Sequence, residues 1–293
     1  MISLTISGYS TALFSTWYFI EELGILFDAG DGLTAALMQK ARKVNHVFIS
    51  HADRDHLAGL LQFNQLNARA GYPVIYFPRN SNSFPALASF SRKFDPHVGS
   101  ISWVPVGEDD EIHLRDDIVI VPVRNGHVPA SENISKSLGY KIVQIRRKLK
   151  PELAGLTGEE IRHISETKGK DATTYEVRTT LLGYSGDTPV EDPLRWNESG
   201  ILIHEATFMT GDKEPVISTN RNKHSTLEEV MEMVSGIHIE KLILGHFSTR
   251  YAPEEIDKRI RELSKKYHLS IPVFRLLPGE TVFDILNKSP VNL

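Results

Sequence analysis

Short apolar runs rich in β-branched and aromatic residues alternate with helix-spaced stretches along the whole chain. At the N-terminus ISLTIS, TWYFIEE and GILFDAG read as strands joined by tight turns at Gly8 and Gly24. Residues 33–43, LTAALMQKARK, repeat their apolar positions at helical spacing. The strand VFIS and the run LAGLLQF after His56 form the next strand–helix unit. PVIYF, ISWVPV and DIVIVPV are further strands, with a helix predicted in SNSFPALASFSRKF between the first two. In the second half YKIVQI, TTLLGYS, GILIHEA, KLILGH and PVFRLL read as strands, and helices are predicted over 226–234 and 253–266. Such alternation argues for an α/β fold with sheets covered by helices. Residues 146–175 break the pattern: they are charged, lack strand character, and are expected to form an excursion with a short helix near GEEIRHI.

Composition narrows the picture. A chain of 293 residues can build one large α/β domain or two small ones, and 41% apolar residues supply a sizeable core. With no internal repeat or low-complexity linker, residues 1–293 are expected to form a single domain carrying the 146–175 excursion. The formal charge of -4 does not advertise nucleic-acid binding, which leaves only a local basic patch for that role. There is no cysteine, so any metal must rest on His, Asp and Glu. Nothing resembles a secretory segment, and no apolar run approaches the ~18 residues of a membrane span, so a soluble, cytoplasmic protein is expected.

The chemistry gathers at the ends of apolar runs. After VFIS come His51, Asp53, Asp55 and His56, four metal-capable side chains within six residues. His51 and Asp53, two apart on an extended segment, can face one ion, while Asp55 and His56, turning into a helix, can face another. Each ion then needs a further histidine and a shared carboxylate, because one aspartate can bridge two cations ~3.5–4 Å apart. His127 in NGHVP, His246 in LILGHFSTRY and Asp187 in GYSGDTP can supply those groups. LIHEATF and KHST add Glu205 and His224. Strand ends held by a rigid sheet present such groups precisely.

These blocks together resemble the metallo-β-lactamase superfamily, and within it the tRNase Z branch. LFDAGDG, FISHADRDHLAGL, SLGYKI, YSGDT, LIHEATF, KHST and GHFSTRY follow one another in family order, from about residue 26 to residue 251. KLKPELAGLTGEEI is similar to the corresponding stretch of short plant-type members. The resemblance implies an αββα sandwich, two mixed sheets packed face to face with helices outside. It implies a metal-dependent endoribonuclease that removes the 3′ trailer of precursor tRNA, commonly as a homodimer. The first ion would take His51, Asp53 and His127, and the second Asp55, His56 and His246, with Asp187 bridging. Two cations, zinc first among the candidates, lower the pKa of a shared water and neutralise phosphoryl charge. Asp55, His224 and Glu205 would form the catalytic set. Glu205 orients His224, which protonates the leaving oxygen. Arg250 would hold a substrate phosphate with its fork of donors.

One position departs from the family's His-x-His-x-Asp-His pattern: Asp53 stands where a histidine is expected. Aspartate is shorter, harder and charged, so it weakens Lewis acidity and shifts preference from zinc toward manganese or magnesium. It remains a competent ligand, and the other positions are intact, which reads as retuning. Two further readings stay open in the sequence: a phosphodiesterase for a cyclic nucleotide or short oligonucleotide, and a non-catalytic nucleotide- or RNA-binding protein. The remaining histidines, His204 among them, are expected to be structural or solvated, and the basic run RRKLK is expected to be a solvated strand end.

Overall fold

In the computed structural model, which describes residues 2–209 and 223–293, the strands form two mixed sheets packed face to face. The first has six strands in sequential order: β1 (Ile6–Thr11), β2 (Ser15–Ile20), β3 (Ile25–Phe27), β4 (His46–Phe48), β5 (Val74–Pro78) and β6 (Ser102–Val106). The second contains β7 (Ile112–Arg115), β8 (Ile118–Arg124), β9 (Leu138–Leu149), β10 (Thr174–Tyr184), β11 (Ser199–Glu205), β12 (Ile239–Gly245) and β13 (Val273–Arg275), in the order 13-12-11-10-9-8-7. Helices α1 (Leu33–Leu37), α2 (Arg54–Leu57), α3 (Leu60–Asn67) and α4 (Ser83–Phe94) follow strands of the first sheet. In the second half, α5 (Gly158–Lys168) and α6 (Lys170–Thr173) stand between β9 and β10, while α7 (Leu227–Ser235) and α8 (Pro253–Lys266) flank β12.

The period-2 alternation of the strands explains the layering. In β2, Tyr18 and Ile20 enter the core between the sheets with Phe27, Phe48, Tyr140 and Ile203. Their neighbours Trp17 and Phe19 face the other way, against Leu33, Leu60, Phe63 and Phe84 of the helical layer. Beyond the second sheet, Leu202, Leu242 and Leu244 pack on Val230, Met231, Ile256 and Ile260 of α7 and α8. Both faces of the central strands are therefore buried, which is why they read as near-continuous apolar runs. The result is the αββα sandwich expected from the sequence.

Three local expectations change. Gly8 is not a turn but the middle of β1, where a Cβ would come within 2.8 Å of the Tyr18 ring. The hairpin turns instead at Ala12–Leu13–Phe14, with Leu13 at φ 70°. The helix expected over 33–43 is regular only to Leu37, and a 3-10 stretch follows from Met38, whose φ is 46°. The excursion is not without strands: Arg146–Leu149 continue β9 and pair with the start of β10, Tyr175 opposite Lys148 and Glu176 opposite Arg147. The polar faces of that ribbon lie in solvent, so no hydrophobic alternation marks it. The expected helix near GEEIRHI is α5, closed by a Thr157–Glu160 capping box. Strand β7, which passed without notice in the sequence, pairs with β8.

Candidate active site

Strands β3, β4, β8, β10, β11 and β12 all end at one rim of the sandwich, and the chain just beyond each end supplies a polar side chain. The C-terminal rim of parallel strands is where α/β sheets present their chemistry. His51 follows β4, His127 follows β8, Asp187 follows β10, Glu205 closes β11 and His246 follows β12. Asp28 after β3 and His246 adopt the left-handed region at φ 55° and 61°. Such conformations are uncommon for non-glycine residues and are held by the surrounding packing.

The expected ligands converge. Asp187 Oδ2 lies 3.2 Å from the Nε2 atoms of both His56 and His246 and 3.8 Å from that of His51. Asp53 Oδ2 is 3.6 Å from His51 Nε2 and 3.5 Å from His127 Nε2. Asp55 Oδ2 is 3.6 Å from His56 Nε2 and 3.3 Å from His246 Nε2. Asp53 occupies the N-cap position of α2, a place where aspartate usually caps, yet its side chain makes no capping bond and turns to the two histidines instead.

Every histidine of the cluster is anchored through Nδ1 so that Nε2 points inward. His51 Nδ1 lies 2.9 Å from Ser50 Oγ, His56 Nδ1 2.7 Å from Asp28 Oδ2, His127 Nδ1 2.8 Å from the Lys223 carbonyl and His246 Nδ1 2.8 Å from Thr207 Oγ1. The Nε2 atoms of His51, His56 and His127 are buried with no hydrogen-bond partner among the described residues. Orphaned buried polar atoms are costly unless something takes their lone pairs. Imidazoles fixed through one nitrogen, with the other presented beside carboxylates, form the donor set of a divalent cation. The site is built to bind divalent metal.

The electrostatics sort the acids and bases. Asp187 is buried, which opposes its charge, yet His246 and His56 hold its carboxyl well below the usual range. His127 and His51 likewise hold Asp53 ionised. Burial and the neighbouring His56 and His127 push His51 down to about 4, so its ring is neutral and able to donate a lone pair. His224 is the opposite case. Burial works against its charge, but Glu205, 3.0 Å from its Nδ1, and Asp187 raise it to about 9. Glu205 also accepts from the backbone of Thr188 at 2.8 Å and from Thr207 Oγ1 at 2.5 Å, and it stays ionised.

His204 is buried and bonded to the carbonyl of Glu205, outside the cluster, as a structural histidine should be. Arg250 lies beyond the ligands, its guanidinium 5.3 Å above the ring of Phe208, whose edge meets His224. Four supporting residues escaped sequence reasoning: Asp28, Ser50, Tyr184 and Thr207. Asp28 lies inside the quoted LFDAG block and Thr207 inside HEAT, but their roles depend on contacts between distant strands.

The chain has relatives among known proteins. Residues 24–150 match the family model of the β-lactamase superfamily domain. The chloroplastic tRNase Z of Arabidopsis thaliana is 29% identical over 290 residues, covering 94% of this chain and 76% of that protein. The ribonuclease Z of Ignicoccus hospitalis is 31% identical over 256 residues, covering 82% and 83%. The crystal structure of the short form of human tRNase Z shares the fold, with a TM-score of 0.60 at 18% identity over 95% of this chain and 98% of that one. The chain belongs to the ribonuclease Z (tRNase Z) family of the metallo-β-lactamase superfamily.

Proposed function

We propose that this protein is a metal-dependent endoribonuclease that removes the 3′ trailer of precursor tRNA, with residues 1–293 acting as one catalytic unit. The observation that carries the reading is the His224–Glu205 pair at the edge of the ligand cluster, 3.0 Å between Nδ1 and Oε1. Hydrolysis by a metal centre alone would not require a histidine paired with a buried carboxylate beside it. A diester with an alkoxide leaving group does require one, because the departing 3′-oxygen must be protonated.

Two divalent cations, zinc first among them, would be held by His51, Asp53 and His127 on one side, by Asp55, His56 and His246 on the other, and by Asp187 between. When bound, such ions supply an activated water at neutral pH and neutralise charge on the phosphoryl oxygens. The chain does the rest. Glu205 fixes the His224 ring and favours its charged form, so the proton waits where the leaving oxygen departs. Nε2 of His224 makes no hydrogen bond among the described residues and is the atom that delivers it. Arg250, resting on Phe208, offers donors to a flanking phosphate. Among the described residues no helix is long and apolar enough to cross a membrane. We place the enzyme in the cytoplasm as a homodimer, with precursor tRNA as its partner.

The test is cleavage of a 3′-extended precursor tRNA by metal-free protein reconstituted separately with zinc and manganese, with metal content measured on the same samples. Cleavage with two ions per chain is expected. Hydrolysis of bis(p-nitrophenyl) phosphate without tRNA cleavage would move the substrate to a small diester.

A further inference from the structure

We infer that Asp53 gives the two halves of the metal centre equivalent donor sets, so that neither selects a different ion from the other and the half built on His51 loses much of its preference for zinc over a harder ion such as manganese. The inference rests on the two-ion reading above. On one side of Asp187, two imidazole nitrogens from His51 and His127 surround one carboxylate oxygen of Asp53 at 3.6 and 3.5 Å. On the other, His56 and His246 surround one oxygen of Asp55 at 3.6 and 3.3 Å. Each half therefore offers two nitrogens and one carboxylate oxygen of its own at closely matched distances, with Asp187 between them.

A histidine at position 53 would make the first half a three-nitrogen set. That arrangement suits zinc, whereas sets with more oxygen donors favour manganese and other hard ions relative to it. Asp53 is not spoken for by the helix it precedes, since it makes no capping bond. Its Oδ2 instead lies 3.6 and 3.5 Å from the Nε2 atoms of the two histidines it would join in ligation. Two differences between the halves remain: Asp187 Oδ2 lies 3.2 Å from both nitrogens of the second half but 3.8 Å from His51 Nε2, and the Asp53 side chain is 45% exposed against 10% for Asp55; neither changes the donor types.

The experiment adds one equivalent each of manganese and zinc to metal-free protein and records the electron paramagnetic resonance spectrum, with metal content measured per chain. Equivalent halves distribute the ions at random, so a coupled dimanganese signal accompanies isolated manganese. Asp53→His should place zinc in its own half, abolish the coupled signal and raise the zinc-to-manganese affinity ratio by about tenfold, the scale on which changes around a metal alter its affinity. Isolated manganese alone in the unaltered protein, with one zinc per chain, would overturn the inference, as would an unchanged ratio in Asp53→His. Should that variant not fold, the unaltered protein's spectrum decides by itself. Fewer than two ions per chain would overturn the two-ion reading and this inference together. A site-selective pair would sink the inference only, and no outcome depends on turnover.

Discussion

Asp28 Oδ2 lies 2.7 Å from His56 Nδ1, and neither side chain is exposed. The same carboxylate accepts from the backbone N–H of Ser50 at 2.7 Å, from Ser50 Oγ at 2.8 Å and from the Tyr184 hydroxyl. Ser50 Oγ in turn faces His51 Nδ1. One buried aspartate thus orients a histidine from each half of the proposed metal centre, directly in one case and through a serine in the other. Asp28→Asn keeps the shape but turns an acceptor-only group into one that must also donate. Metal affinity should fall ~10–100-fold, measured by competition with a chromophoric chelator.

Removing Asp187, the proposed bridge, should be more severe. Asp187→Ala deletes the carboxylate that approaches His51, His56 and His246 together. Metal content below two ions per chain and loss of tRNA cleavage are expected. Retention of two ions would show that the halves hold independently.

His224→Ala should separate chemistry from metal binding. Cleavage is expected to slow by ~10²–10⁴-fold, the usual scale for loss of a general acid, with metal content unchanged. Rates come from single-turnover cleavage and metal content from elemental analysis. If metal leaves with the imidazole, His224 is a ligand and its assignment as the acid is wrong.

His46, at the start of β4, gives a pH dependence separate from the site. Burial pushes its ring down from 6.5 to about 4, and its Nδ1 has no partner among the described residues. Below pH 6.5 the unfolded chain binds a proton that the folded chain refuses, so this residue's contribution to stability falls as pH drops from 6.5 toward 4. The residue is only half-buried, which limits the effect to about 1–2 kcal/mol. His46→Phe keeps the ring beside Tyr72 and Tyr76. Its urea stability should decline less than the parent's over that interval.

Gly59, between α2 and α3, allows the helical layer to approach the backbone after β3. A Cβ there would lie 2.3 Å from the Gly30 carbonyl oxygen and 3.0 Å from that of Ala29. Both are main-chain atoms that cannot swing away. Gly59→Ala should cost about 3 kcal/mol, the upper end for overpacking, seen as a lower midpoint in denaturant unfolding.

Much of the fold was legible because burial on both faces leaves a dense apolar signature in strands such as Ile118–Arg124 and Ile239–Gly245. The amphipathic helix Pro253–Lys266 was readable to the residue, with proline at its first turn and lysines at its last. The outer ribbon at Arg146–Leu149 was not, since solvent on both faces erases periodicity. Gly8 misled for a related reason: glycine marks either a turn or a close approach, and only the Tyr18 ring opposite it decides which.

The sequence by itself determined the donor types, their order and their places at strand ends, because residue chemistry and short-range spacing are written locally. Tertiary structure alone decided that Asp53 reaches His127, 74 positions away. It alone tied Glu205 through Thr207 to His246 and set Asp28 beneath His56 and, through Ser50, His51. Those contacts join strands from different parts of the chain, and a contact of that kind exists only once both sheets have packed.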